Sequence, residues 1–213
     1  MSTVLLLNGS PHPNGCVFTA LSEIARTLEA EGVGSEIFQI GTKPVRGCIA
    51  CGGCRRIGSP AGKGGCVFKD DVCAAFQEAM RRCDALIVGS PVYYAGPAGT
   101  LCALLDRAFY SATEAFAGKP AACVVNCRRG GASAAFDRLN KYFSIVRMPI
   151  VSSQYWNSTH GLTPDEVRRD KEGLQTMRTL AREMAHLLKC REKAGLPPPP
   201  VEPWERTNFI GNA

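Results

Sequence analysis

The 213-residue sequence predicts an α/β protein whose open, doubly wound, five-stranded parallel sheet has helices on both faces. Five short runs of strand character alternate with five longer segments whose apolar residues recur at helical spacing. The first run, residues 4–7, is apolar throughout, as in a strand buried on both faces of a parallel sheet. Polar or glycine-rich turns follow three of the strands, where such sheets bind ligands.

The predicted strands are recognised by apolar or alternating residues bounded by turn signals. The run at 35–40 alternates between polar and apolar side chains, whereas the runs that begin at Ala85 and Ala121 are almost wholly apolar. The last strand is placed at a short apolar run after Met148. The five predicted strands are residues 4–7, 35–40, 85–90, 121–125 and 149–151.

The predicted helices are recognised by their apolar stripes and end signals. In the first, Val17, Leu21 and Leu28 lie on one stripe, and Gly32 ends the helix. Asp70 or Asp71 caps the second. The sequence at 163–166 combines a capping box with proline at the first helical position and begins the longest helix. The five predicted helices are residues 17–32, 71–82, 100–110, 133–145 and 164–193.

Composition predicts one globular domain over residues 1–195, followed by a proline-rich tail, 196–213. No apolar run approaches the ~20 residues that cross a bilayer, and no secretion signal begins the chain, so we expect a cytoplasmic protein that does not enter membranes. The net charge of +6 is dispersed, which favours anionic small molecules over nucleic acid. Eleven cysteines, an odd number, indicate reduced thiols and not a disulfide framework.

The turn at residues 8–15, between the first strand and first helix, has the composition of a phosphate site. A helix N-terminus presents unpaired N–H groups to an anion, and Ser10 and Asn14 add side-chain donors. Gly9 and Gly15 allow the backbone to approach closely. The turn lacks the Rossmann G-x-G-x-x-G pattern, and a Walker-like segment at 58–64 has the wrong spacing and lacks the hydroxyl residue that binds magnesium.

Five motifs together resemble those of the NAD(P)H-dependent FMN reductase and iron–sulfur flavoprotein branch of the flavodoxin-like proteins. They are GSPHPNG at 9–15, GSPVYY at 89–94, Asp106-Arg107, RRGG at 128–131 and MPIVSSQYWN at 148–157. The resemblance implies a flavodoxin-like fold and bound FMN. It implies that the FMN phosphate is surrounded by Ser10, His12, Asn14, Gly15, Cys16 and Val17, and that the ribityl chain and ring lie along Pro91, Val92, Tyr93 and Tyr94.

The turn that contains Arg128, Gly130 and Gly131 is expected to border the flavin ring, because its main-chain groups suit the polar edge of the ring. Arg128 and Arg129 are open to two interpretations. They recognise a ring carbonyl of the flavin or the extra phosphate of NADPH, or they form a solvated pair of surface charges. Trp156 either flanks the flavin or anchors an interface. Hydride transfer is the cofactor's own reaction, so we name no catalytic residue.

Four cysteines in the loop at 42–66 have the spacing C-x2-C-x2-C-x11-C, namely Cys48, Cys51, Cys54 and Cys66. The pattern resembles the 4Fe-4S site of iron–sulfur flavoproteins, although the gap before the fourth cysteine is longer here. Closely spaced thiolates with a distant fourth suit such a cluster. A tetrahedral zinc site and a loop without metal both stay open.

The tail is expected to cross the interface of a homodimer or homotetramer, with Trp204 and Phe209 as anchors, or else to be disordered. Three functions follow from the sequence. The first is an FMN-dependent oxidoreductase that takes hydride from NADPH or NADH and reduces a flavin, quinone or other small-molecule acceptor. The second is an FMN and 4Fe-4S electron-transfer module that serves a redox protein. The third is an FMN-binding sensor or scaffold without enzymatic activity.

Overall fold

A parallel sheet forms the centre of the computed structural model, which describes residues 2–56, 64–203, 205, 207 and 211. The strands are β1 (Thr3–Asn8), β2 (Gly34–Gln39), β3 (Ala85–Tyr93), β4 (Gly96–Pro97), β5 (Ala121–Cys127) and β6 (Ser158–His160). The sheet order is β2-β1-β3-β5-β6, with all these pairs parallel, and β4 pairs antiparallel with the end of β3. The predicted doubly wound sheet is confirmed, with six strands instead of five.

Helices cover both faces of this sheet. They are α1 (Cys16–Ala30), α2 (Gly53–Arg56), α3 (Cys73–Arg82), α4 (Gly99–Ser111), α5 (Thr113–Phe116), α6 (Ala132–Ile145), α7 (Pro164–Arg169) and α8 (Lys171–Ala194). On β1, Val4 and Leu6 face a core with α1 and α8, while Leu5 and Leu7 face a core with α3, α4 and α6. Alternate side chains of one apolar strand thus pack against opposite helical layers.

The predicted last strand at 149–151 is wrong. This segment forms one isolated bridge, in which Ala121 N donates to Pro149 O and Val151 N donates to Ala121 O, both at 2.8 Å. Proline offers no N–H with which to extend the ladder. The edge strand is instead β6, a polar segment that an apolar criterion overlooks; its Thr159 is buried and accepts a hydrogen bond from Asn126 Nδ2.

The long helix predicted over 164–193 is two helices. Thr163 caps α7 as expected, since its Oγ1 accepts from Glu166 N at 3.3 Å. The break falls at Asp170, whose φ and ψ of −74° and 81° are not helical and whose Oδ1 accepts from Gly173 N at 2.9 Å. A second N-cap side chain therefore starts α8 as a separate helix.

Smaller differences concern the ends of elements. Val72 is the N-cap of α3, although Asp71 Oδ1 accepts from Cys73 N at 3.0 Å.

No helix among the described residues is both long enough and apolar enough to cross a membrane. The Walker-like segment, apart from Gly64, and the predicted anchors Trp204 and Phe209 lie outside the described residues. The described tail residues after Gly195 are exposed and irregular.

Candidate functional site

The turn after β1 is held in shape by side chains from two neighbouring strand ends. Asn8 and Gln39 are partners in the parallel register of β1 and β2. Asn8 Nδ2 donates to Gln39 Oε1, Asn8 Oδ1 accepts from Ser10 N at 3.1 Å, and Gln39 Nε2 donates to Ser10 O at 2.7 Å. Ser10 Oγ in turn accepts from His12 N at 3.1 Å. These bonds fix the loop before any ligand arrives.

The N-terminus of α1 directly follows the same turn, and no side chain of the described residues caps it. Its N-cap residue is Gly15, where an added Cβ would lie 2.9 Å from the Cβ of His12. The first N–H groups of a 15-residue helix, with the positive end of its dipole, are thereby available to an anion. Burial raises the pKa of the Cys16 thiol, and Glu166 raises it further, so Cys16 stays uncharged beside this position at neutral pH.

A two-residue hairpin projects from the end of β3. Tyr94 and Ala95 connect β3 to β4, and both have positive φ, 49° and 58°. This is the arrangement that asparagine and glycine usually fill, so two ordinary L-residues there carry backbone strain, which is typical of functional sites. Tyr94 is fully exposed and Tyr93 half exposed, while Ser90 Oγ accepts from Ala98 N at 3.1 Å and closes the base of the hairpin.

The glycine turn after β5 packs against that hairpin. Gly131 has φ +91°, and a Cβ there would lie 2.8 Å from Ala95 Cα and 3.2 Å from Val92 Cγ1. Arg128 and Gly130 of the same turn are exposed. The close approach therefore depends on a glycine at 131 for both its backbone conformation and its missing side chain.

Direct contacts bring the strand-end turns together at one edge of the sheet. Gly9 N donates to Gly89 O at 2.8 Å, which joins the turn after β1 to β3. Cys16 Sγ lies 3.8 Å from Gly161 O, after β6. The phosphate-type turn, the tyrosine hairpin and the glycine turn thus border one edge. Uncapped helix N–H groups, glycines that allow close backbone approach and exposed tyrosine side chains fit a phosphorylated, flat, partly apolar ring.

The four candidate ligand cysteines line a single cavity of about 750 Å³. Its other walls come from the C-terminal halves of α4 and α6, including Phe109, Tyr110, Tyr142 and Ile145. Among the residues that the structure describes, no three histidine, cysteine, aspartate or glutamate side chains are already arranged to hold an ion. The thiol donor set fits an iron–sulfur cluster chemically.

Comparison with known proteins places the chain in a family. The family model described as NADPH-dependent FMN reductase matches residues 2–163. The chain belongs to this family. Among its curated relatives, an iron-sulfur flavoprotein of Methanocaldococcus jannaschii is 28% identical over 200 residues, covering 89% of this chain and 99% of the relative. An iron-sulfur flavoprotein of Methanosarcina thermophila is 26% identical, covering 88% and 95%.

Solved structures similar to this FMN reductase family member show the fold. An NADH:FMN oxidoreductase in its apo form superposes with a TM-score of 0.63 at 16% identity, covering 88% of this chain and 90% of that one. A flavodoxin from the domain Archaea superposes with a TM-score of 0.57 at 12% identity, covering 89% and 99%. The flavodoxin-like prediction is confirmed.

The sequence patterns did not identify three residues that shape the site, namely Asn8, Gln39 and Ala95. Asn8 belongs to the quoted turn, but its bonding to Gln39 depends on the register of two strands distant in sequence. Ala95 occupies a left-handed position that no residue preference indicates. Only the strand-end position of Asn8 and Gln39 gave a usable signal, because parallel strands end at one edge of a sheet.

Proposed function

We propose that this chain is an FMN-dependent oxidoreductase that takes hydride from NADPH or NADH and reduces a flavin, a quinone or another small acceptor. The observation that carries the proposal is the uncapped N-terminus of α1, seated on the Asn8–Gln39 scaffold beside the exposed tyrosine hairpin. Membership of the FMN reductase family supports it.

Each part of the site has one task in this proposal. When bound, FMN supplies the hydride-accepting ring and its redox chemistry. The phosphate is held by the turn and first helical turn formed by Ser10, His12, Asn14, Gly15, Cys16 and Val17. The ribityl chain and ring are bordered by Pro91, Val92, Tyr93 and Tyr94 on one side and by Arg128, Gly130 and Gly131 on the other. Main-chain N–H groups serve the polar edge of the ring.

The reductant approaches on the exposed side of the same edge. Arg128 and Arg129 are exposed after β5 and carry two positive charges that suit the phosphates of a pyridine nucleotide. Tyr155 and Trp156 form an exposed aromatic pair, with ring centroids 5.0 Å apart, just before β6. Such a pair suits the interface of a homodimer or homotetramer that completes the pocket.

Steady-state kinetics test the proposed activity. The FMN-loaded chain is mixed anaerobically with NADPH or NADH, with and without a quinone or free flavin, and nucleotide oxidation is followed. Turnover that depends on the acceptor supports the reductase. Tight FMN binding without nucleotide oxidation contradicts it and favours the electron-transfer module or the non-enzymatic sensor, which metal content then separates.

A second candidate function rests on the cysteine cavity. Cys48, Cys51, Cys54 and Cys66 line one cavity, and the two relatives described above are iron-sulfur flavoproteins. A 4Fe-4S cluster there would make the chain an electron-transfer module that exchanges electrons with a redox protein. Anaerobic purification followed by iron and sulfide assays tests this role; zinc without sulfide contradicts it.

Tyr94 offers a test of the aromatic wall that leaves the fold intact. Because its side chain is fully exposed, Tyr94→Ala removes no packing and should leave thermal unfolding unchanged. We expect the Kd for FMN to rise about three- to tenfold, from lost ring contact. Fluorescence titration measures it. Tyr110→Ala is the control, since Tyr110 is half exposed but lines the cysteine cavity; equal affinities in both variants would remove Tyr94 from the site.

A further inference from the structure

One buried ion pair ties together the two ends of the cysteine segment, residues 47–67. Arg107 lies on α4 with its side chain 1% exposed, and it pairs with Asp71, which is 5% exposed. Arg107 Nη1 donates to Arg46 O at 3.0 Å, and Arg107 Nη2 donates to Phe68 O at 3.1 Å. One guanidinium therefore holds the residue just before the segment and the residue just after it.

Asp71 completes the same arrangement from the other side. Its Oδ2 accepts from Arg46 N at 3.0 Å, and its Oδ1 accepts from Cys73 N at 3.0 Å. Burial would raise the pKa of Asp71, but the hydrogen bonds from Cys73, Arg46 and Arg107 outweigh it and hold the pKa below its usual value. The ion pair with Asp71 favours the charged form of Arg107 as well. Both groups stay charged.

One further donor of this guanidinium, Nε, has no hydrogen-bond partner among the described residues. Within the part of the chain that the structure describes, Arg107 Nε is buried and makes no hydrogen bond. Arg107 lines the cavity that all four cysteines also line. An unsatisfied buried donor is destabilising, and this one belongs to a residue that borders the cysteine cavity, which points to a ligand with acceptor atoms.

We propose that Arg107 is a positioning residue for an iron–sulfur cluster: with Asp71 it clasps both ends of the cysteine segment, and its Nε is the donor for a sulfur atom held in the cavity. The inference rests on the second candidate function. Thiolates and sulfide carry negative charge, which a buried guanidinium offsets. Positive charge and hydrogen bonds to sulfur favour the reduced cluster, so loss of Arg107 lowers both cluster occupancy and reduction potential.

The clasp is tested first without any metal. Hydrogen exchange is compared in the metal-free chain for the wild type, Arg107→Gln, Arg107→Lys and Arg55→Gln. Arg55 is the matched control, because it lines the same cavity and stacks on Tyr110 but is not bonded to the segment ends at Arg46 and Phe68. We expect the hydrogen-bonded amides of Arg46, Arg55 and Gly65 to exchange at least about tenfold faster in both Arg107 variants. Rates within about twofold of wild type would overturn the clasp.

Cluster loading is tested separately on the same proteins. After anaerobic reconstitution, Arg107→Gln should hold less than about half the iron and sulfide of wild type and show a lower midpoint potential, while Arg55→Gln loads fully. Equal loading and potential overturn the positioning role. A wild type that takes up no iron refutes the cluster itself, while the exchange data still decide the clasp. If Arg107→Gln does not fold, Arg107→Lys and Asp71→Asn carry both measurements.

Discussion

A Gly131→Ala variant is expected to bind FMN about tenfold to a hundredfold more weakly than the wild type. The alanine must adopt φ near +91°, and its Cβ would collide with Ala95 Cα and crowd Val92 Cγ1. Relief requires the strained Tyr94–Ala95 hairpin to move away from the glycine turn, which separates the two walls proposed for the flavin ring. Fluorescence titration with FMN measures the loss.

Gly118→Ala separates conformational strain from collision in this experiment. Gly118 has φ +76°, but no atom of the described residues lies within 4 Å of the position that a Cβ would occupy, so alanine there meets the same backbone penalty without a clash. We expect Gly118→Ala to lose stability, by about 1 kcal/mol, and to keep its FMN affinity. Equal affinities in the two alanine variants would contradict the role of the Gly131 contact.

Serine substitution of Cys54 or Cys66 should reduce iron and sulfide below about a tenth of the wild-type content. Serine removes a thiolate ligand with little change of volume, and both residues line the shared cavity. FMN affinity should not change, because neither residue belongs to the strand-end turns. Iron and sulfide assays after anaerobic reconstitution, with a flavin titration of the same samples, measure both effects.

The control for the cysteine variants is Cys190→Ser, which alters an exposed thiol on α8 outside the cavity. Full loading of Cys66→Ser would contradict its assignment as the fourth ligand across the long x11 gap. Stoichiometric zinc without sulfide in the wild type would show that the four cysteines hold a structural zinc ion and not a cluster.

The fold was largely predictable because its strongest signals are local. The apolar run of β1, the stripe on α1 and the Thr163 cap each depend on a few adjacent residues, and each is present in the structure. β6 was not predictable in this way, since a polar three-residue strand is stabilised by its pairing with β5 and by Asn126, not by its own composition. The break at Asp170 was not predictable either. It depends on whether the Asp170 side chain caps a new helix or the helical spacing of apolar residues continues through this position.

The same distinction between local signals and long-range contacts applies to the site. The position of the turns at 9–15 and 89–94 at one edge of the sheet was predictable, because parallel strands end at the same edge. The Asn8–Gln39 scaffold, the strained Tyr94–Ala95 hairpin and the Arg107–Asp71 clasp depend on contacts between residues far apart in sequence. These contacts follow from register and packing, which no local pattern contains.

Paired titrations of the metal-free chain with FMN and with riboflavin show whether the N-terminus of α1 binds a phosphate. Several hydrogen bonds to a charged group, each contributing about 1.5–3 kcal/mol, predict that FMN binds one per chain and at least about a hundredfold more tightly than riboflavin. Equal affinity for the two flavins, or no binding of either, would rule out a phosphate site at α1.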